Sequence, residues 1–559
     1  MAKKNFSKRA EPKVSAETTP MPRSERTPGG KPRAEQRGAK AGLSTNRAPS
    51  GTTFRGIMES NINDISWYSD HPELLMDACS VSWFNPLGSK IHLAKGAVTP
   101  GVDVAQAAPT VPGIMAFDVT PIPGWASTPS DPVNVAMDNI YAWVRHVNSG
   151  SKVYDPADYM MYILGVGFAY AWIGWLRRVY SELMVTSMQN RYMPEACVVS
   201  EGVSFADLQT KVTAFREYIN LSQVKLGVLA FPAEIKLVNR WIHLFSNVFA
   251  DSPNAKAQIY KFRPAGYYQY VETEGPGYLE WHAFAENRKL TFRDIMIATD
   301  SMISALVKSE DIGVMSGDTI KAFGLDKLFN MEALTPEHFV LPIYNPEMLD
   351  QIQNMSITNS DVVGRDGSFM IEQKVDDLKG GNYLLCQPYV HNEANELAPY
   401  AWHTAKIFNV ENEDVTPPQT MILSRLATGS TAVKLESVDL VALNVVGSEI
   451  VNRGSIYYLT DEGIPASVAM FAQYTMIGEG DFAVRRWMMT NSFRRAFDRG
   501  PTSLTFKDWG GGFVTLVDVN LDFSNYTTVE CEVVGRMHTA AVMSLLNVPI
   551  VGTWGNKLK

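Results

Sequence analysis

Eighteen consecutive residues, Tyr159–Leu176, carry no charge and end against the pair Arg177-Arg178. A stretch this apolar has to be hidden from water on all sides, in a protein interior or in a bilayer. Its length reaches that of a membrane span. Its flanks point the other way. Asp155-Pro156-Ala157-Asp158 reads as a soluble-type helix start, with a capping Asp, Pro in the first turn and an acid facing the helix dipole. Gly165, Gly167 and Gly174 interrupt the run, and no second run like it occurs. A buried core helix is the favoured reading, a span the alternative, and no stable membrane insertion is expected.

The neighbouring pattern is helical as well. A helix is predicted from Ser204, with Phe205, Leu208, Val212, Phe215 and Ile219 on one face. Another follows Pro232, carrying Ile235, Val238, Trp241, Ile242, Phe245 and Phe249. A third starts at Thr291 and carries Ile295, Met296, Met302, Ile303, Leu306 and Val307. Residues 155–330 therefore read as helical, and residues 56–150, rich in Pro, Gly and scattered Trp, as irregular with short elements. Beyond about residue 335 the period shifts toward two. Val433–Glu436 alternates, and Val517, Val519, Leu521 and Phe523 alternate with Asp518, Asn520, Asp522 and Ser524. A last helix is expected over Met537–Leu546, before Pro549. The predicted class is α+β, mainly α.

Charge divides the 559 residues sharply. Residues 1–55 hold 13 Lys or Arg against 4 Glu; the rest holds 37 against 55 acids, from chain totals of 50 and 59. The net is +9 on the first stretch and −18 on the remainder. Pro12, Pro20, Pro22, Pro28, Pro32 and Pro49 block regular structure in the first stretch, and all 12 Trp lie beyond it. With too little apolar surface to offset chain entropy, 1–55 is expected to be a disordered basic arm. Its candidate polyanion-binding residues are Lys3, Lys4, Lys8, Arg9, Lys13, Arg23, Arg26, Lys31, Arg33, Arg37, Lys40 and Arg47. Only Phe6 could stack on a base, so the arm is expected to bind phosphate without reading sequence. A plain solvated linker or a nuclear-import signal are the other readings of the same composition. A second basic set, Arg485, Arg486, Arg494, Arg495 and Arg499 beside Trp487, Phe493 and Phe497, reads first as a subunit contact and second as an RNA-stacking surface.

Sites for chemistry are sparse. No phosphate-binding GxxxxGK[ST] loop, GxSxG elbow or HExxH helix occurs. The nine His are dispersed, so no metal site is expected, and nothing calls for a cofactor. Asp508-Trp509-Gly510-Gly511-Gly512 lacks the Lys of a phosphate loop and reads as a turn. Cys79, Cys197, Cys386 and Cys531 form no CxxC pair, which suits a reducing compartment. Asn5, Asn220, Asn354 and Asn525 open glycosylation-pattern matches to which no weight attaches without a secretory signal. No catalytic residue is predicted, although an enzyme whose groups converge from distant positions stays in play.

Four stretches resemble picobirnavirus capsid proteins. Within 61–88 these are Asn63, Asp64, Trp67, Tyr68, Pro72, Leu74, Leu75, Asp77, Ala78, Phe84, Asn85, Pro86 and Gly88. The second runs from Tyr154-Asp155-Pro156-Ala157-Asp158 through Arg178-Val179-Tyr180 to Asn190-Arg191-Tyr192-Met193-Pro194. The third joins Ala322-Phe323-Gly324 to Leu341-Pro342-Ile343-Tyr344, and the fourth Leu521–Tyr526 to Gly552-Thr553-Trp554. They occur in the family's order. The resemblance implies a non-enzymatic coat protein of a double-stranded RNA virus, made in the host cytoplasm and resident in the virion. It implies homodimers closing into an icosahedral shell around viral RNA, with the RNA and the polymerase inside the particle as candidate partners of the arm. It also implies a mainly helical shell domain over 56–335, a more β-rich projecting domain over 336–499, and a segment, 500–559, returning to the shell. The runner-up is a nucleic-acid-binding viral enzyme of unrecognised fold.

Overall fold

The computed structural model describes residues 63–547, apart from 81–104, 107–113, 151–153, 185–192, 251–258, 377–380, 392–405, 432–439, 460–464, 471–473, 477–481, 485–503, 508–512, 517–524 and the single positions 149, 286, 359, 411 and 413. Contacts divide the chain into units 1–50 and 51–559, and every described residue belongs to the second. Its described helices are α1 (Met76–Ser80), α2 (Pro132–Val147), α3 (Pro156–Met184), α4 (Met193–Ser200), α5 (Phe205–Leu208), α6 (Val212–Leu226), α7 (Lys236–Ser246), α8 (Phe292–Lys308), α9 (Glu310–Phe323), α10 (Pro346–Gln353), α11 (Pro417–Leu423) and α12 (Cys531–Leu545). Two sheets carry the strands that concern the core: β1 (Ile114–Pro121), β2 (Val248–Ala250), β3 (Ile259–Pro264), β4 (Gly266–Val271), β5 (Tyr278–Ala283), β6 (Pro342–Tyr344), β7 (Met370–Asp376), β8 (Gly381–Cys386), β9 (Glu449–Leu459) and β10 (Pro465–Met470). The class is α+β, mainly α.

Helix α3 is the axis of the body. Every described side chain from Tyr159 to Glu182 is buried, so the helix is covered on all sides, as its uncharged run requires. It packs chiefly against α7 and α6, and further against α2, α4 and α8. Gly167 permits the closest of these approaches: a Cβ there would stand 2.3 Å from Val238 Cγ2 of α7. Several of its aromatics find polar partners inside. Trp172 Nε1 donates to Thr299 Oγ1 at 2.9 Å, Tyr159 Oη and Thr319 Oγ1 lie 2.7 Å apart, and Tyr162 Oη donates to Ala230 O. The helix passes the length and apolarity test for a membrane span, yet that whole window is buried by protein, which is the core-helix reading.

One sheet has the order β10-β9-β1-β3-β2-β6, the other β4-β5-β7-β8. β1 and β3 pair in parallel, and β1 pairs antiparallel with β9, which bulges between Val451 and Arg453. All eight residues of β1 are buried, so neither face is left to solvent and the polar Asp118 and Thr120 are carried inside with the rest. Both sheets combine strands from either side of residue 335, and one hydrophobic cluster runs from Trp67 to Leu546. The change in composition near 335 is therefore not a break in the core. Helix α12 packs on α1, α2 and α7, bringing the C-terminal region back to the first half.

Several local expectations need correction. Residues 56–150 contain a core strand, β1, and a 16-residue helix, α2. The stretch 155–330 contains four strands, β2–β5. The helix expected from Ser204 is broken into α5 and α6, because Thr210 Oγ1 takes the Asp207 carbonyl at 3.0 Å and Lys211 turns out of helical geometry. Phe249 lies on β2, since Asn247 Nδ2 closes α7 on His243 O at 2.9 Å. Helix α12 starts six residues before the expected Met537. Helix α8 begins where expected: Thr291 and Asp294 form a reciprocal capping box. The alternations at 433–436 and 517–524 lie outside the described residues.

Candidate functional site

The densest concentration of chemistry is a set of charged groups sealed inside the body. Helix α3 delivers Arg178 and Glu182 one turn apart; α4 and the turn after it supply Cys197, Ser200 and Glu201. Strand β3 adds Lys261 and Arg263, β1 adds Asp118, β9 adds Tyr457, and Arg288 comes from the loop before α8. Four cations thus meet three carboxylates, all nearly out of solvent.

Partners are tightly specified. Arg178 reaches Glu201 Oε2 at 2.7 Å, Asn247 O at 2.9 Å and Phe262 O at 2.8 Å. Trp175 Nε1 donates to the same Glu201 oxygen at 2.8 Å. Lys261 Nζ lies 2.5 Å from Glu182 Oε1 and 3.5 Å from Glu201 Oε1, and donates to Cys197 O and Ser200 Oγ at 3.1 Å. Glu182 and Lys261 thus stand in direct contact inside the body. Arg263 grips Asp118 through two nitrogens at 2.6 and 3.1 Å and also reaches Ser200 O and Tyr457 Oη. Arg288 adds a 3.2 Å contact to Asp118.

Burial and partners pull against each other at each group. Burial raises the Glu182 carboxyl well above the ordinary range, and Lys261 and Arg178 only partly offset it. Burial also works against Glu201, but Arg178, Lys261 and the hydrogen bonds from Arg178 and Trp175 outweigh it and hold Glu201 low. Asp118 is likewise lowered, by Arg263 and Arg288 acting against burial. Such a network joins five elements and the loop before α8 and turns no reactive atom to solvent; what it does chemically is lock α3, α4 and the first sheet together.

A second centre anchors the start of the described chain. Tyr68 is fully buried between Arg240 of α7 and Arg425, each guanidinium carbon 5.7 Å from its ring centre, and its Oη donates to Asn63 at 3.0 Å. Trp67 packs its ring edge to face with His243 at 5.4 Å. Asp70 pairs with Lys236, and its N–H donates to Ser544 Oγ at 2.9 Å; Asp77 pairs with Arg536 at 2.6 Å. Residues 63–80 are thereby strapped to α7 and α12.

None of the residues predicted to bind RNA can be placed. Lys3, Lys4, Lys8, Arg9, Lys13, Arg23, Arg26, Lys31, Arg33, Arg37, Lys40 and Arg47 lie outside the described residues, as do the Arg485–Arg499 segment and Asp508–Gly512. Both buried centres were missed from sequence. The strand Ile259-Tyr-Lys-Phe-Arg-Pro264 alternates polar with apolar and looks half-exposed, yet all six residues are buried. Two glycosylation-pattern matches are buried, Asn354 on Asp350 O and Asn525 on Asn412 O, while the half-buried Asn220 holds Leu334 through N–H and C=O.

The strap that begins at Asn63 and the sheets that end near β10 mark out the part of the chain that is also recognisable in other proteins. A family model described as the picobirnavirus capsid protein matches residues 67–482. The chain belongs to the picobirnavirus capsid protein family. A capsid protein precursor of human picobirnavirus, strain Human/Thailand/Hy005102/-, is 27% identical over 541 residues, covering 92% of this chain and 96% of that one. The fold is that of the X-ray structure of the picobirnavirus capsid, with a TM-score of 0.62, 21% identity, and 87% of this chain and 98% of that chain covered. The resemblance first drawn from four short stretches thus extends over most of the chain. As a capsid protein, the molecule is a component of the virion. The buried charge network and the strap tie the elements of this capsid protein together.

Proposed function

We propose that this chain is a structural, non-enzymatic coat protein that self-associates as two-fold dimers and closes into an icosahedral shell around double-stranded RNA. The observation that carries the reading is membership of a capsid family by a body of net charge −18 that bears a +9 arm. An acidic wall repels RNA, and the arm offsets that repulsion. Closure would gather every arm in one lumen, so individually weak phosphate contacts act together. Lys3, Lys4, Lys8, Arg9, Lys13, Arg23, Arg26, Lys31, Arg33, Arg37, Lys40 and Arg47 are assigned to that contact, without base preference. The polymerase inside the particle is a further partner for the arm. Synthesis in the host cytoplasm fits four free cysteines, three of them buried.

Within the body, the shell role is assigned to 56–335 together with the later strands that complete its sheets. The projecting role falls to the remainder of 336–499, and 500–559 returns to the shell. The test is to delete residues 1–55 and assemble particles at fixed ionic strength. RNA content per particle is expected to fall, and binding by the full chain to weaken with salt at a log–log slope of about −0.9 per phosphate contact on a duplex. Unchanged RNA content in the deletion particles would remove the arm's role.

A further inference from the structure

Helices α6 and α8 present a stripe that the described residues leave uncovered. Leu221, Val224 and Lys225 fall at i, i+3 and i+4 on α6, Val228 follows in the turn just past its end, and the three aliphatic residues are 52, 72 and 69% exposed. The face opposite them on the same helix is spent on the core through Phe215, Ile219 and Leu226. Helix α8 runs alongside in the same direction: Tyr218 Oη donates to Met296 O at 3.1 Å and Lys225 Nζ meets Asp300 Oδ1 at 3.2 Å. That register sets Ile297, 56% exposed, beside the stripe. Apolar side chains scattered singly need no account; four gathered around one ion pair on two adjacent helices mark an interaction surface.

The charges indicate what covers it. Lys225 and Asp300 are both 42% exposed, so their pairing within one chain contributes little and leaves each free to take a second partner. One cation and one anion of equal exposure inside an apolar patch are self-complementary under a two-fold rotation, in which residue i meets j and j meets i. We propose that the stripe formed by Leu221, Val224, Val228 and Ile297 is an isologous contact with a second copy of this chain, with Lys225 of each copy facing Asp300 of the other. The inference deepens the assembly reading above and rests on it.

A charge-reversal pair separates this contact from a merely internal ion pair. A chain carrying Lys225→Asp presents two acids on the stripe, and a chain carrying Asp300→Lys presents two bases. Each variant alone is expected to repel itself and raise the dimer dissociation constant by about tenfold or more, read by analytical ultracentrifugation. Mixing the two opposes unlike charges at both positions and is expected to restore association to within a few-fold of the unmodified chain. Circular dichroism and thermal unfolding of each variant check that it folds. If either variant misfolds, Val224→Asp, on the exposed side of α6, carries the test and is expected to abolish dimers. Association of the separate variants at unmodified strength, or a mixture no tighter than its components, overturns the contact. An unmodified chain that never associates instead removes the assembly reading, and the contact falls with it.

Discussion

Lys261 and Arg263 stand two residues apart on a strand covered on both faces, and the interior tolerates them because each meets a carboxylate. Breaking a buried pair from one side leaves the other charge uncompensated. Asp118→Asn removes the carboxylate shared by Arg263 and Arg288 and is expected to cost about 3–5 kcal/mol, seen as a lowered thermal midpoint. An unchanged midpoint would mean that water reaches those guanidiniums. His243 gives a pH dependence of known sign. Burial, with Arg240 beside it, pushes the imidazole down to about 3, so below its ordinary value the unfolded chain binds the proton and the folded chain does not. Its share of stability is therefore intact at pH 7 and lost as pH falls below about 6.5. Relative to the unmodified chain, His243→Gln should gain about 2 kcal/mol between pH 7 and pH 5. Parallel melting curves at both pH values measure this, and a pH-independent difference would contradict it.

Elements differ in how openly the sequence declares them. The core helix α3 was readable because nothing but burial explains eighteen uncharged residues, and α8 because Thr291 and Asp294 write its start locally. Strands β2–β5 were not: β2 and β3 are buried on both faces, so their side-chain pattern does not report their burial, and β4 and β5 alternate in burial over only six residues each. Asp207, next to the break between α5 and α6, also accepts from the Phe292 N–H, 85 residues away, a contact that no local pattern contains. Strap and charge network were equally hidden: Tyr68 looks like any aromatic until Arg240 and Arg425 close on it from two other elements. Two substitutions test the packing of elements. Gly167→Val drives a branched side chain into Val238 and is expected to destabilise the body by about 3 kcal/mol or more. Thr291→Ala removes one cap and is expected to cost about 1 kcal/mol. Denaturant titration ranks them, and a reversed order would mean that the α3–α7 contact is looser than its geometry.

At the scale of the whole molecule, the body is one interlocked core: its sheets mix early and late strands, and its first described residues are strapped beneath its last helix. A rigid acidic block of this kind suits a shell, because closure repeats a modest contact many times and any looseness in the block multiplies with it. Tyr68→Ala should loosen the strap while α3 stays packed, giving earlier proteolysis near residue 63 with little loss of helix signal. Simultaneous loss of both would show that strap and core unfold together. The most direct measurement is electron microscopy of the expressed full chain, with nuclease added before imaging and the protected RNA quantified. Uniform closed particles that retain RNA are the result expected of a coat protein with a lumenal basic arm. A monomer or small open oligomer, with all RNA digested, would contradict it.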